Sequence, residues 1–166
     1  MSHAVAEERP VEHGDALNVL RSAIAEAPGP EAAAQRAVEL LHDRFSHYDW
    51  VGVYWVDSTG TELVLGPWIG PEATEHTRIP IGVGICGAAA ASGQTEIIED
   101  VNADPRYLAC FATTQSEIVV PIFADGAVVG EIDIDGSDPA AFDQTDANFL
   151  EEIAALLAPL RPRDQA

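Results

Sequence analysis

Lysine is missing from this chain altogether, and all eight of its cationic side chains are arginine. Against them stand 28 acidic residues, for a formal net charge of -20 at pH 7. A surface this negative repels phosphate backbones and anionic bilayers, which argues against nucleic-acid binding and membrane docking. Cysteine is scarce as well: the chain holds only Cys86 and Cys110. Two cysteines exclude a disulfide framework and leave thiol chemistry or plain packing. There is no C-x-x-C or H-x-x-x-H spacing, so no metal site is expected. There is no G-x-S-x-G elbow for a serine hydrolase. No apolar run approaches the ~20 residues of a membrane span. The amino-terminal "MSHAVAEERPVEHGD" lacks the basic and apolar regions of a secretory signal. The expected location is cytoplasmic.

What is present is enough apolar material for a core: 47% of the 166 residues are hydrophobic. Residues 1–13 read as a disordered segment, 14–160 as a single domain and 161–166 as a frayed tail. "DALNVLRSAIAEA" (15–27) suits a helix stopped by "PGP". A second helix fits 31–46, where Ala33, Ala37, Leu40, Leu41 and Phe45 recur at helical spacing. Strand signals follow at 50–56, 61–67, 77–82 and 95–100, and again in "SEIVVPIF" and "AVVGEIDID". The connection 101–115 is long, with one helical turn expected around Tyr107. A last helix starts at Asp143, with Ala147, Leu150, Ile153, Ala154 and Leu157 on one stripe. Hairpins between terminal helices predict an α+β fold, with an antiparallel sheet of five or six strands and flanking helices.

The stretch "GVGICGAAAASG" (82–93) contains G-x-G-x-x-G around Cys86. A dinucleotide fingerprint needs a full helix and a parallel second strand. Here the helix is two turns of mostly alanine and the surroundings are hairpins, so the glycines read as a turn into a short helix closed by Gly93. A thiol at such a helix start is favoured as thiolate, yet a buried cysteine is also an ordinary packing residue.

Alternation along "VVGEIDID" places Val129, Glu131, Asp133 and Asp135 on one side, with Val128, Gly130, Ile132 and Ile134 on the other. Such a row of acids needs solvent, a cation or a cationic ligand group. A three-residue turn at 124–126 would pair Glu117 with Asp133 and make the two converge. A two-residue turn at Asp125-Gly126 would pair Glu117 with Ile134 and turn it to the opposite face. The three-residue turn is predicted.

"WVGVY", "LVLGP", "TRIPIGVGICGAA", "SEIVVPIF" and "DID" together resemble a GAF domain, and within that group the free methionine-(R)-sulfoxide reductases. The resemblance spans about 48–157. It implies a GAF-like central sheet, often in a homodimer, and a small-molecule substrate. It implies Cys110 as the nucleophile that attacks the sulfoxide sulfur. It assigns Glu117, Asp133 and Asp135 to holding the substrate, with Trp50 and Tyr54 lining the pocket. Glu117 or Asp133 would supply a proton. No bound cofactor is implied, only an external thiol reductant such as thioredoxin. Two departures stand out. The family's resolving cysteine before "TRIP" is His76 here, which leaves Cys86 as the candidate resolving thiol. The nucleophile loop reads "PRYLACFATT" where the family has a sequence like "GHIACD". A sensory GAF domain that binds a small ligand without chemistry, or a thiol redox sensor, are the alternatives.

Overall fold

The structure, a computed structural model, describes residues 2–109 and 111–162, with side chains from residue 11 onward. Cys110 and the end of the expected tail, 163–166, lie outside the described residues. Two helices come first, α1 (Ser2–Glu26) and α2 (Pro30–Arg44). They are followed by β1 (Trp50–Val56), β2 (Glu62–Ile69), β3 (Arg78–Pro80), α3 (Gly84–Ser92), β4 (Glu96–Ile98), β5 (Ser116–Ala124), β6 (Ala127–Gly136) and α4 (Gln144–Leu157). The strands form a six-stranded sheet in the order β3-β2-β1-β6-β5-β4, antiparallel at every pairing.

α1 begins at Ser2, ahead of the start expected near Asp15, and runs through segment 1–13 where that is described. The reason is visible at His13, which starts the buried stripe continued by Ala16, Leu17 and Leu20. Its ring stacks on Phe149 at 4.3 Å, so a residue read as polar acts as a core aromatic. The helical turn expected near Tyr107 lies earlier, as a 3-10 turn at Val101–Ala103. Other boundaries move by a residue or two, as fraying ends do.

Helices α1, α2 and α4 cover one face of the sheet. Their apolar stripes meet Val51, Val53, Ile118, Val120, Ile132 and Ile134 in the larger core cluster. Asp143 caps α4, accepting from the Thr145 and Asp146 N–H groups, while Asp146 accepts from the Asp143 N–H. That reciprocal capping box contributes about 1 kcal/mol. The opposite face carries α3 and the long connections, packed over Trp50, Tyr54, Leu63, Ile79 and Val119.

The β5–β6 register differs from the expected one and has a definite cause. Asp125 (φ 53°) and Gly126 (φ 79°) form a two-residue turn with both central residues left-handed. Ala124 pairs with Ala127, and Phe123 with Val128, but Ile122 pairs with Gly130. Val129 is therefore bulged out of the ladder. The bulge flips the alternation: Val128 packs on the α3 side and Val129 joins the helix-side core. Glu117 then faces Asp135, with Val119 opposite Asp133. Neither turn considered from the sequence predicts this pairing. The bulge nevertheless returns Glu117 to the face that carries Asp133, so the expected convergence is found by a different route.

Candidate active site

The α3 face of the sheet's centre is a small grid. From β5 come Glu117, Val119 and Pro121; from β6, Asp135, Asp133 and Glu131; from β1, Trp50, Gly52 and Tyr54, each paired in that order across the ladder. Gly52 has no side chain because Trp50 lies over it: a Cβ there would sit 2.4 Å from the indole. The indole therefore covers Gly52, the ladder partner of Asp133. Trp50 also stacks with Trp68 at 6.0 Å and meets Phe111 at 5.8 Å.

Helix α3 closes the grid from above. Its start is possible only because of its glycines. A Cβ on Gly87 would be 2.6 Å from the Pro80 carbonyl oxygen, and Gly84 holds φ 71°. This close approach brings Cys86 down onto the acids. Its Sγ donates to Glu117 Oε2 at 3.9 Å, and suitable atoms of Cys86, Glu117 and Asp133 all lie within 4.8 Å of one another.

Burial dominates the electrostatics. Glu117, Glu131, Asp133 and Asp135 are at most 5% exposed. Desolvation raises Asp133, while hydrogen bonds with Glu117 and Cys86 pull in the other direction. Glu131 and Asp135 are pushed well above the usual carboxyl range by burial first and by the charge of Asp133 second. Glu117 hydrogen-bonds both Asp133 and Asp135, which needs a proton on one carboxyl of each pair. The Cys86 thiol is pushed well up by burial, then by Asp133, Glu131, Glu117 and Asp135. The dipole of α3 does not prevail against four acids, so Cys86 is held as a neutral thiol.

A cavity of about 20 Å³ remains among Tyr54, His76, Ile79, Ile85, Cys86, Tyr107, Leu108, Glu117 and Asp133. Tyr54 donates to the His76 carbonyl at 2.7 Å, and His76 Nε2 lies 3.4 Å from the Ala109 carbonyl. The loop holding His76 and the loop preceding Cys110 thus meet at the rim.

Of the residues singled out in the sequence, Cys86, Glu117, Trp50, Tyr54, Asp133 and Asp135 share this one face. Glu131 belongs with them, fully buried, although the family resemblance does not assign it; its place in the acid row of β6 is the signal that marks it. Tyr107, Leu108 and Phe111 had no signal beyond lying in a long loop.

Comparisons with known proteins agree with this fold. The GAF domain family matches residues 29–159. The free methionine-R-sulfoxide reductase of Escherichia coli is 37% identical over 118 residues, 71% of this chain and 69% of that one. The Neisseria meningitidis enzyme of that name, solved in complex with its substrate, aligns with a TM-score of 0.83 and 40% identity, over 89% of this chain and 87% of its own. The type II enzyme from Thermoplasma acidophilum aligns at 0.75 and 42% identity, over 79% of this chain and 91% of its own. This chain belongs to the GAF domain family and is related to its free methionine-R-sulfoxide reductases.

Proposed function

We propose that the protein reduces a small sulfoxide, free L-methionine-(R)-sulfoxide in particular, with Cys110 as the thiol nucleophile. The observation that carries this reading is the buried set Glu117, Asp133 and Asp135 beneath Trp50. Arg78 and Arg106 are engaged elsewhere, with Glu62 and with Asp104 and Glu96. Buried carboxyl groups suit the ammonium of a free amino acid, and the indole and Phe111 suit its apolar thioether end. The similarity to reductases of this name supports the same choice.

The chemistry balances as follows. The Cys110 thiolate attacks the sulfoxide sulfur while a carboxyl, Glu117 or Asp133, gives a proton to the sulfoxide oxygen. The oxygen passes to the cysteine, leaving methionine and a Cys110 sulfenic acid. The substrate sulfur is reduced and the cysteine oxidised. One thiol then condenses with the sulfenic acid, releasing water and forming a disulfide. A second thiol releases Cys110. Cys86 is poorly suited to the resolving step, because attack requires thiolate and four carboxyls oppose its ionisation. We therefore assign resolution to an external dithiol of the thioredoxin class. A cavity of about 20 Å³ lies far below the ~300 Å³ of small ligand pockets, so substrate entry requires displacement of Tyr107 and Leu108.

The test is methionine formation from free methionine-(R)-sulfoxide with dithiothreitol. The parent protein should turn over and Cys110→Ser should fall to background. A parent without turnover ends the reductase reading. Turnover that survives Cys110→Ser removes Cys110 as the nucleophile. A second reading is favoured by His76 standing where the resolving cysteine is otherwise found. It is a binding domain for amino-acid-like ligands, and ligand binding without turnover would select it.

A further inference from the structure

We propose that Cys86, Glu117, Glu131 and Asp133 bind one thiophilic divalent cation of the zinc class. The proposal goes beyond sulfoxide reduction and does not depend on it.

Three separate segments supply the donors, which is why no sequence spacing announces them. Helix α3 gives Cys86, β5 gives Glu117, and β6 gives Glu131 and Asp133. A tetrahedral zinc site with Zn–S of about 2.3 Å and Zn–O of about 2.0 Å has sulfur–oxygen edges of about 3.5 Å. The Cys86–Glu117 edge is 3.9 Å and the donor atoms of Cys86, Glu117 and Asp133 all lie within 4.8 Å of one another, so shifts of about 1 Å or less bring them to that geometry.

Glu131 points independently to a ligand. It is 0% exposed, and neither carboxyl oxygen has a hydrogen-bond partner among the described residues. Its carboxyl is approached by the Cys86 thiol, a weak donor that does not satisfy it, and by Asp133. Asp133 Oδ1 is likewise buried without a partner among the described residues. Orphaned buried acceptors of this kind are costly unless something binds them. The adjoining cavity of about 20 Å³ is about the size of one probe sphere and suits an ion. It is too small for an amino acid.

The donor set chooses the metal. One sulfur among oxygens favours zinc or cadmium over magnesium or calcium. Binding displaces the Cys86 proton and the protons shared among the carboxyls, which pass to solvent. The metal and a ligand ammonium would then compete for Glu117 and Asp133. Metal loading becomes a brake on whatever the pocket binds.

Cadmium is the probe, because its thiolate bond absorbs in the near ultraviolet and zinc is silent. Reduced, metal-free full-length protein is titrated with Cd²⁺ anaerobically, without sulfoxide or reductant. Failure here therefore leaves the reductase reading untouched. The expected result is one Cd²⁺ per chain, a charge-transfer band, proton release and a higher Tm, with Zn²⁺ displacing the band. Cys110→Ser should keep the band and Cys86→Ser should lose it. Glu131→Gln and Asp133→Asn should each weaken binding by roughly tenfold or more. A band that vanishes in Cys110→Ser but persists in Cys86→Ser overturns the proposal. So does a parent protein with neither band nor Tm shift at millimolar Cd²⁺.

Discussion

The two faces of the sheet each bury carboxyl groups, and they treat them in opposite ways. On the helix side, Asp146 at the start of α4 is fully buried and surrounded by donors. Tyr48 Oη donates at 2.8 Å and the Asp143 N–H at 3.0 Å, and His47 Nε2 lies at 3.4 Å. His13 Nε2 approaches to 3.8 Å. Burial alone would raise its pKa, but the bonds from His47, Asp143 and Tyr48 outweigh that and hold it at about 2. On the α3 side, Glu131, Asp133 and Asp135 are as deeply buried with fewer donors, and burial pushes all three up. A satisfied buried charge fixes a fold; an unsatisfied group of them is a local conflict that proteins keep at sites meant to bind something.

Removing Asp146 is the harshest test of that contrast. Asp146→Ala removes one half of the capping box and strands Tyr48, His47 and the Asp143 N–H at once. The expected cost is about 3–5 kcal/mol, read as a Tm drop of roughly 6–20 °C. A drop of only a degree or two would mean that the cluster is not what holds α4 and α1 to the sheet.

The acid limb of stability sharpens the same point. The folded pKa of Asp146 is depressed below its unfolded value of about 4. Its contribution is therefore complete above pH 4 and is lost as pH falls through about 2. The loss attributable to this residue is about 2 kcal/mol. Chemical denaturation between pH 5 and 2, as approximate bounds, should show a shallower slope in Asp146→Asn than in the parent. Parallel slopes would exclude Asp146 as the source.

The pocket side should respond with the reverse sign. Glu131→Leu removes a buried carboxyl with no well-formed hydrogen bond among the described residues and leaves a side chain of similar size. Stability should rise by about 1–2 kcal/mol, with a higher urea midpoint and an unchanged m-value. Cd²⁺ affinity should fall in the same variant. A loss of stability would show that Glu131 is structurally satisfied.

How much of this could be read beforehand follows the same division. β1 is legible to the residue, because Trp50–Val56 is a dense aromatic and β-branched run. The α4 stripe and its start near Asp143 are legible from helical spacing, although Asp143 is the cap and not the first helical residue. What escapes is set by distant parts of the chain. The bulge at Val129 leaves no mark in a sequence of alternating residues, yet it decides which face Glu117 occupies. Glu131 looks like one more solvated acid until α3, lowered by Gly87, covers it. His13 looks polar until Phe149 arrives beneath it. The acid pocket was legible because strand alternation puts its β6 members on one side, whereas the thiol's place against them depends on a helix packing that spacing does not encode.

The smallest expected effect separates the two histidines that share Asp146. His47 is half-buried in the loop between α2 and β1, and His13 is buried and stacked on Phe149. If hydrogen bonding to Asp146 is what matters, His47→Ala should cost about 1 kcal/mol, and His47→Gln should restore part of it. His13 also supplies an aromatic surface, so His13→Phe should keep most of its packing while losing the contact with Asp146. The two substitutions should then differ in the acid limb: His47→Ala raises the Asp146 pKa and brings acid unfolding to higher pH, because its bond is the strongest influence lowering that pKa. Equal shifts of the acid limb in both variants would mean that the longer 3.8 Å contact acts as strongly as the 3.4 Å one, and that α1 is held to the sheet by charge as much as by stacking.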